Sequence, residues 1–331
     1  MYRKSVLIVF AAIFFLFTTT PFVKASGHGE DVSGPGKVAI VLASFGTTVP
    51  SAVESITNIQ QKVKDAFPGV PVRMTFTSNI IRSVWKERQA EAQKWQDKGI
   101  PEEVLYVKNI IATIGDLRED GYKNIIVQPT HIFYMEQVQD LNSYVNAFAS
   151  IKTTKKKWMP FDKVVMGRPA LGEPGDRYDY HEDMEKALET LVPDVELARK
   201  NNAMLVYMGH GNEHWSTGIY LEAAKMMRRL YPDVVTCIGA VEGFPGIEDV
   251  GGYLSHFKSG KILLKPFMIV AGDHATNDMA SDEEDSWKSI LTKQGFDVTP
   301  VLTGLGSNDK FAQIFVEHIR DAARDNGIDI K

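Results

Sequence analysis

The sequence predicts an α/β protein made of two similar Rossmann-like domains, each with a parallel sheet flanked by helices. Apolar runs of strand length alternate with segments whose apolar residues recur every three or four positions. The pattern also occurs twice, since VAIVLASFGT (38–47) corresponds in form to MLVYMGHGN (204–212), and IIVQPTHI (125–132) to ILLKPFMIV (262–270). A duplicated unit of this kind predicts a central cleft between the two copies.

The first half opens with a buried strand that ends in a tight turn at Gly46. The elements expected after it are a helix over 53–67, a strand over 70–76, helices over 79–95 and 102–119, and a strand over 124–127. Pro68-Gly69 and Gly121 mark helix ends. The order β-α-β-α-α-β is typical of a parallel sheet with helices on its faces.

The second half repeats this alternation after a lysine run at 155–157, which indicates solvated surface. Its expected elements are a strand over 163–166, a helix over 180–191, a strand over 203–208, a helix within 213–230, a strand over 234–238, an amphipathic segment over 250–257, a strand over 262–270, a helix capped by Ser281 and a last helix around 311–322. We therefore expect an N-terminal domain at 37–155 and a C-terminal domain at 160–305.

The N-terminus has the features of a secretory signal peptide. Arg3 and Lys4 precede an apolar run over 6–17, and Val23-Lys24-Ala25 supplies small residues for cleavage near Ala25. The run is too short to span a bilayer comfortably, so we expect cleavage rather than a membrane anchor. Residues 26–36 are small and polar, so we expect a flexible leader there, and we expect the mature protein to be periplasmic, with no integral membrane segment.

Charge and composition exclude several function classes. Removal of residues 1–25 changes the net charge from −5 to −8, which argues against a nucleic-acid partner. Cys237 is the only cysteine, so an intrachain disulfide is impossible. No G-x-G-x-x-G follows a predicted strand, and the Ser44–Thr48 turn has no phosphate-loop signature, so no nucleotide cofactor is expected.

Two histidines stand where predicted strands run into glycine. His210 lies between Gly209 and Gly211, and His274 follows Gly272 after the strand predicted to end at 270. Ligands of open α/β sheets bind at the carboxyl ends of strands, and imidazole suits both metal binding and proton transfer. We assign both histidines to a metal site and to catalysis. The alternative is that each imidazole only bonds a loop carbonyl.

Glu242 follows the strand predicted over 234–238 and is therefore expected at the same edge. One carboxylate with two imidazoles is a plausible open site for a divalent first-row metal. A turn glutamate exposed to solvent is the alternative for Glu242. Asp273, beside His274, is a candidate for orienting an imidazole.

The first half supplies further candidates at its own strand ends. We assign Glu136 to proton transfer, with an exposed surface glutamate as the alternative. The residues assigned to substrate binding are Ser44, Phe45, Thr130, His131, Tyr134 and Met135.

Residues 210–214 also fit H-x-x-E-H, a zinc-peptidase motif that requires a helix so that both histidines share one face. Gly209 and Gly211 break a helix at that point, which disfavours a zinc peptidase. We then expect His214 at the edge of the site and not among the metal ligands.

Six segments occur in a characteristic order along the chain: LASFGT, QPTHI, MGHG, VEGFP, AGDHATNDMA and DSWK. Together they resemble the CbiK family of anaerobic cobalt chelatases, which insert Co²⁺ into sirohydrochlorin during cobalamin synthesis. The resemblance runs from about Lys37 to the C-terminus. It implies a chelatase-like fold of two pseudo-twofold related domains around a central cleft, with the C-terminal helix (308–325) packing back on the first domain.

The resemblance also implies functional residues and ligands. It assigns metal binding to His210, Glu242 and His274, and it implicates Glu136. The implied substrates are a tetrapyrrole and a divalent metal, Co²⁺ first, with Fe²⁺, Ni²⁺ and Zn²⁺ as alternatives. Because the usual enzyme is cytoplasmic, the export signal leaves a second hypothesis open, a non-catalytic carrier that binds haem, another tetrapyrrole or a metal. A homo-oligomer is a further candidate assembly.

Overall fold

The computed structural model describes residues 36–175, 177–257 and 260–330. The predicted signal peptide and the predicted leader, apart from Gly36, lie outside the described residues. Both sheets belong to one compact unit, Gly36–Lys331, and the predicted domain limits at 155 and 160 stay a prediction. Among the described helices, none is long and apolar enough to cross a membrane.

The first sheet contains four parallel strands in the order β2-β1-β3-β4. Its strands are β1 (Lys37–Ser44), β2 (Val72–Phe76), β3 (Tyr122–Pro129) and β4 (Lys163–Met166). The helices of this half are α1 (Val53–Ala66), α2 (Asn79–Arg88), α3 (Ala92–Gln96), α4 (Glu102–Leu105), α5 (Ile110–Glu119) and α6 (Glu136–Ser150). Because the central strand β1 is buried almost throughout, it is apolar rather than alternating.

The second sheet repeats this arrangement as β6-β5-β7-β8, again all parallel. Its strands are β5 (Met204–Gly211), β6 (Thr236–Glu242), β7 (Lys261–Pro266) and β8 (Asp297–Pro300). The helices are α7 (Tyr180–Glu189), α8 (Val192–Asn201), α9 (Gly218–Leu230), α10 (Ile247–Leu254), α11 (Trp287–Lys293) and α12 (Asp309–Asp325). The predicted α/β class and the predicted repeat are confirmed, since β1 matches β5, and β3 and β7 both end in proline.

The largest apolar cluster contains residues of both sheets, including Ile40 from β1 and Leu205 from β5, so the two halves share a core. The C-terminal helix α12 joins them, because it packs against α1, β3 and β4 of the first half. Polar contacts fix this packing: Asn58 donates to the Gly306 carbonyl, and Lys62 pairs with Asp309. The shared core holds the carboxyl ends of the central strands close to each other.

Several predicted boundaries are wrong, for local reasons. The helix predicted over 102–119 is interrupted, because Lys108 forms a parallel β-bridge with Thr75 of β2 and Asn109 then caps the start of α5. The helix predicted over 79–95 is divided by a 3₁₀ turn at 89–91. The helix attributed to a Ser281 cap begins only at Trp287, because Ser286 accepts the capping hydrogen bond. Helices α6 and α8 and strand β8 were not predicted.

Candidate metal and tetrapyrrole site

His210 lies near the end of β5, between two glycines that its surroundings require. A Cβ at Gly209 would lie 2.5 Å from the ring of Tyr220, so only glycine fits there without displacing that ring. Gly211 has φ +82°, a left-handed conformation that favours glycine, and its N–H donates to the Tyr220 hydroxyl at 3.1 Å. The two glycines therefore hold the His210 backbone against Tyr220, while 39 % of the imidazole stays exposed.

Glu242 is the last residue of β6 and pairs with Gly211 in the parallel ladder. The approach is so close that a Cβ at Gly211 would lie 1.7 Å from the Glu242 carbonyl oxygen. This register places the Glu242 carboxylate beside the imidazole, with Oε2 3.8 Å from Nδ1 of His210. The side chains of His210 and Glu242 therefore lie together at the ends of neighbouring strands, where the sequence predicts them.

His274 reaches the site by a different route from the predicted one. Strand β7 ends at Pro266, which lacks the N–H that a longer ladder needs, and residues 267–272 form a loop. His274 directly precedes a π-helical turn, Ala275–Met279. The loop passes close to the first half, because a Cβ at Gly272 would lie 3.3 Å from Oγ1 of Thr47.

The two imidazoles meet edge to face, with ring centroids 4.6 Å apart. Nδ1 of His210 lies 3.1 Å from the Gly211 carbonyl oxygen, and Nδ1 of His274 lies 2.5 Å from Oδ2 of Asp278. Both partners are hydrogen-bond acceptors, so each Nδ1 carries the proton when the ring is neutral. The lone pair of each ring is therefore on Nε2, where it is available to a metal ion or to a proton.

Asp278, rather than Asp273, orients His274. The π-helical turn places Asp278 four residues after the histidine, whereas Asp273 accepts a hydrogen bond from Asn277 at 2.9 Å. A carboxylate on the second ring nitrogen is the usual arrangement around metal-binding histidines. The sequence already indicates this pair, because His274 and Asp278 are four residues apart, the spacing at which side chains of a helical turn meet.

Within residues 36–175, 177–257 and 260–330, no three His, Cys, Asp or Glu side chains are already arranged to hold a metal ion. The chemistry of the donor set nonetheless fits a first-row divalent ion, with two imidazoles and one carboxylate. Between 36 % and 39 % of the His210, Glu242 and His274 side chains is exposed, which leaves them room to rotate around an ion. An open set of this kind suits a metal that is bound and then passed on.

Two predicted substrate-binding hydroxyls point at each other instead. Ser44 Oγ lies 2.6 Å from Thr130 Oγ1, and both residues are only 2 % exposed. The pair links the ends of β1 and β3 and so fixes the loops that follow these strands. Direct contact of either hydroxyl with a substrate stays a prediction.

Phe45, the next residue, does face the site. Its side chain is 38 % exposed, and its ring centroid lies 6.3 Å from that of His210. The loop is anchored from behind, because Trp85 Nε1 donates to the Thr47 carbonyl and Arg88 donates to the Thr48 carbonyl. An aromatic ring of the first half is thereby held against the imidazole of the second.

His131 is unusual because neither ring nitrogen is accessible to solvent or has a hydrogen-bond partner among the described residues. Burial lowers the pKa of its imidazole to about 4, so the ring is neutral near pH 7. It follows the Ser44–Thr130 link directly in the chain. A substrate-binding role stays a prediction for His131.

The other three first-half candidates lie around the start of α6. Tyr134 is half-buried in the bend before the helix, and Met135 caps the helix with its backbone while its side chain packs against the shared core. Glu136 is the first residue of α6 and is exposed. Its Oε2 accepts a hydrogen bond from Nδ2 of Asn212 at 3.3 Å, across from the first half to the second.

The peptidase motif does not form. His210 is in a strand, and residues 212–217 are a loop rather than a helix, so the two histidines of H-x-x-E-H share no helical face. His214 is exposed, and its N–H donates to Oδ1 of Asn212.

The chain is similar to a known family and to known proteins over most of its length. A model described as cobalt chelatase (CbiK) matches residues 38–324. Sirohydrochlorin cobaltochelatase CbiKC from Nitratidesulfovibrio vulgaris is 29 % identical over 286 residues, which cover 86 % of this chain and 90 % of that protein. Sirohydrochlorin cobaltochelatase from Salmonella typhimurium is 27 % identical over 288 residues, covering 86 % and 96 % respectively.

A solved structure supports the fold. The structure described as SirB from Bacillus subtilis with Fe³⁺ has a TM-score of 0.56 at 13 % identity, covering 89 % of this chain and all of that one. At this identity the likeness concerns the fold alone. Because the family model spans nearly all of the described residues, the chain belongs to the CbiK family of cobalt chelatases.

Proposed function

We propose that this protein inserts a divalent metal, Co²⁺ first, into sirohydrochlorin. The observation that carries the proposal is that His210 lies beside both His274 and Glu242, with the Nε2 lone pairs of the two imidazoles available. The names of the two cobaltochelatase relatives supply the substrate class.

The roles of the site residues follow from the exchange of one divalent metal ion for two protons on the macrocycle. Insertion of M²⁺ into the macrocycle forms metal–nitrogen bonds and releases two pyrrole protons, so the site needs both metal ligands and proton acceptors. His210, His274 and Glu242 would hold the incoming ion. When the ion moves to the macrocycle nitrogens, the two Nε2 lone pairs that it leaves can accept the two pyrrole protons. Glu136, on the opposite half, is a further proton acceptor, because only one of its oxygens has a hydrogen bond among the described residues.

Aromatic residues near the site suit the macrocycle. Phe45, Trp215 and Phe244 follow the ends of β1, β5 and β6, and their side chains are 38 %, 39 % and 56 % exposed. Exposed aromatic side chains at a polar site favour a ligand with flat apolar faces and a polar periphery, as in a polycarboxylate tetrapyrrole.

The decisive test is anaerobic Co²⁺ insertion into sirohydrochlorin, followed by absorbance, in the wild type and in His210→Ala and His274→Ala. We expect wild-type turnover and losses of about 10²-fold or more in each variant, because each removes a ligand and a base. His181→Ala is the matched control, since that exposed imidazole lies between Asp179, the N-cap residue of α7, and Glu222 of α9. A wild type that binds haem tightly without turnover would favour the carrier hypothesis instead.

The same assay ranks the metals. We propose Co²⁺ as the preferred ion over Fe²⁺, Ni²⁺ and Zn²⁺, and a higher kcat/KM for one of these would replace it. A homo-oligomer remains a proposal, which light scattering of the purified protein tests directly.

Export is a separate proposal that rests on residues 1–25 alone. Arg3, Lys4, the apolar run and Val23-Lys24-Ala25 support cleavage after Ala25 and a periplasmic mature protein. N-terminal sequencing of the protein from the periplasmic fraction should begin at Ser26. A chain that starts at residue 1 or stays in the cytoplasm contradicts the proposal.

A further inference from the structure

Asn212 connects three segments that carry site residues. Its backbone N–H donates to the Glu242 carbonyl at 3.0 Å, which extends the β5–β6 pairing past the strand ends. Its side-chain Oδ1 accepts from the N–H groups of His214 and Trp215, at 2.8 and 2.9 Å. Its Nδ2 donates to Oε2 of Glu136 at 3.3 Å.

This network fixes the orientation of the amide. Because Oδ1 faces two N–H donors, rotating the amide by 180° would place its NH₂ against both of them and its oxygen against the Glu136 carboxylate. The NH₂ group must therefore face Glu136. Asn212 follows His210 by two residues, so the contact ties the carboxylate of the first half to the strand that carries the imidazole of the second.

We propose that Asn212 is a positioning residue for metal insertion, which holds the Glu136 carboxylate toward the His210–Glu242 side of the site. This inference rests on the proposed function. Asn212 donates to one carboxylate oxygen and leaves the other free to accept a pyrrole proton. It acts through Glu136, and metal binding by the imidazoles does not require it.

Asn212→Asp tests this role, because it keeps an oxygen for the two backbone N–H groups and replaces only the donor with a second carboxylate. We expect kcat to fall at least about 10-fold, as is typical when a group that orients a reacting residue is lost, while KM for sirohydrochlorin and the affinity for Co²⁺ change less than about threefold. Asn146→Asp, at an exposed position of α6, is the matched control and should behave as the wild type.

Thermal unfolding checks the contact without turnover. Asn212→Asp should lower Tm by about 2–4 °C through carboxylate repulsion, and Asn212→Asp combined with Glu136→Gln should restore it, because glutamine donates to the new carboxylate. Additive Tm changes, an unchanged kcat, or a loss confined to KM would overturn the inference. A wild type without insertion activity would instead overturn the proposed function, so the two failures are distinguishable.

Discussion

The imidazole of His274 donates its Nδ1 proton to the carboxylate of Asp278, 2.5 Å away and four residues later in the chain. This bond fixes both the ring orientation and the tautomer that leaves Nε2 free. Asp278→Ala should therefore slow Co²⁺ insertion by about 10–100-fold, whereas Asp278→Asn, which still offers an acceptor, should retain more activity. Steady-state assays of both variants provide the measurement.

A neighbouring carboxylate provides the control for this prediction. Asp273→Ala removes only the contact with Asn277, so it should leave insertion within about twofold of the wild type. Equal losses of activity in Asp273→Ala and Asp278→Ala would mean that the negative charge of this segment determines the rate and that the His274–Asp278 hydrogen bond does not.

Gly211→Ala should damage the site through the backbone. The position has φ +82°, and a Cβ would meet the Glu242 carbonyl oxygen at 1.7 Å, so β5 and β6 would have to separate. We expect a loss of at least about 2 kcal/mol in the free energy of unfolding, measured in urea, together with weaker Co²⁺ binding.

Gly115→Ala is the matched glycine control. Gly115 lies in α5, and a Cβ there meets nothing within 4 Å, so the substitution should stabilise the protein by about 0.5–1 kcal/mol. Similar stabilities for Gly211→Ala and the wild type would contradict the packing argument for Gly211.

The sequence predicts the sheets well because their strands are buried on both faces and therefore appear as unbroken apolar runs, such as β1 and β5. The strand predicted over 262–270 is too long at its carboxyl end. Residues 267–270 continue the apolar run, although β7 ends at Pro266. Helix α6 carried a detectable pattern in Val138, Leu141 and Val145, which are buried at helical spacing.

The candidate site was predictable as far as strand ends determine it. His210 and Glu242 meet because parallel register places the ends of β5 and β6 together. The Asn212–Glu136 hydrogen bond was not predictable, because it joins residues 76 positions apart in sequence through the packing of the two halves. The Ser44–Thr130 hydrogen bond was not predictable for the same reason, because it joins residues 86 positions apart in sequence through the packing of β1 against β3.

A buried ion pair should control stability away from the site. Arg168 binds Asp183 at 2.7 Å and Asp321 of α12 at 3.0 Å, and the Arg168 and Asp183 side chains are 7 % and 4 % exposed. Burial alone would raise the pKa of Asp183, but hydrogen bonds with His318 and Arg168 hold that pKa well below its usual range. Asp183→Ala should lower the free energy of unfolding by about 3–5 kcal/mol, because Arg168 loses its main partner in the interior.

Urea unfolding measures this effect against an exposed pair. Lys94 and Glu91 lie 2.9 Å apart, with 51 % and 60 % of their side chains exposed, so Glu91→Ala should change stability little. Comparable losses in both variants would show that burial of the Arg168–Asp183 pair is not what matters.

His131 predicts a specific loss of stability in mild acid. Burial lowers the pKa of the His131 imidazole from 6.5 to about 4 in the folded protein. Between these two pH values the imidazole is protonated in the unfolded chain and neutral in the folded one. Stability should therefore fall as the pH decreases from about 6.5 to 4, by at most about 3 kcal/mol from this group. His131→Phe removes the titration, so the free energy of unfolding of the wild type should fall relative to that of the variant as the pH decreases from about 6.5 to 4. Parallel pH profiles for the two proteins would mean that the His131 ring is protonated as easily in the folded chain as in the unfolded one.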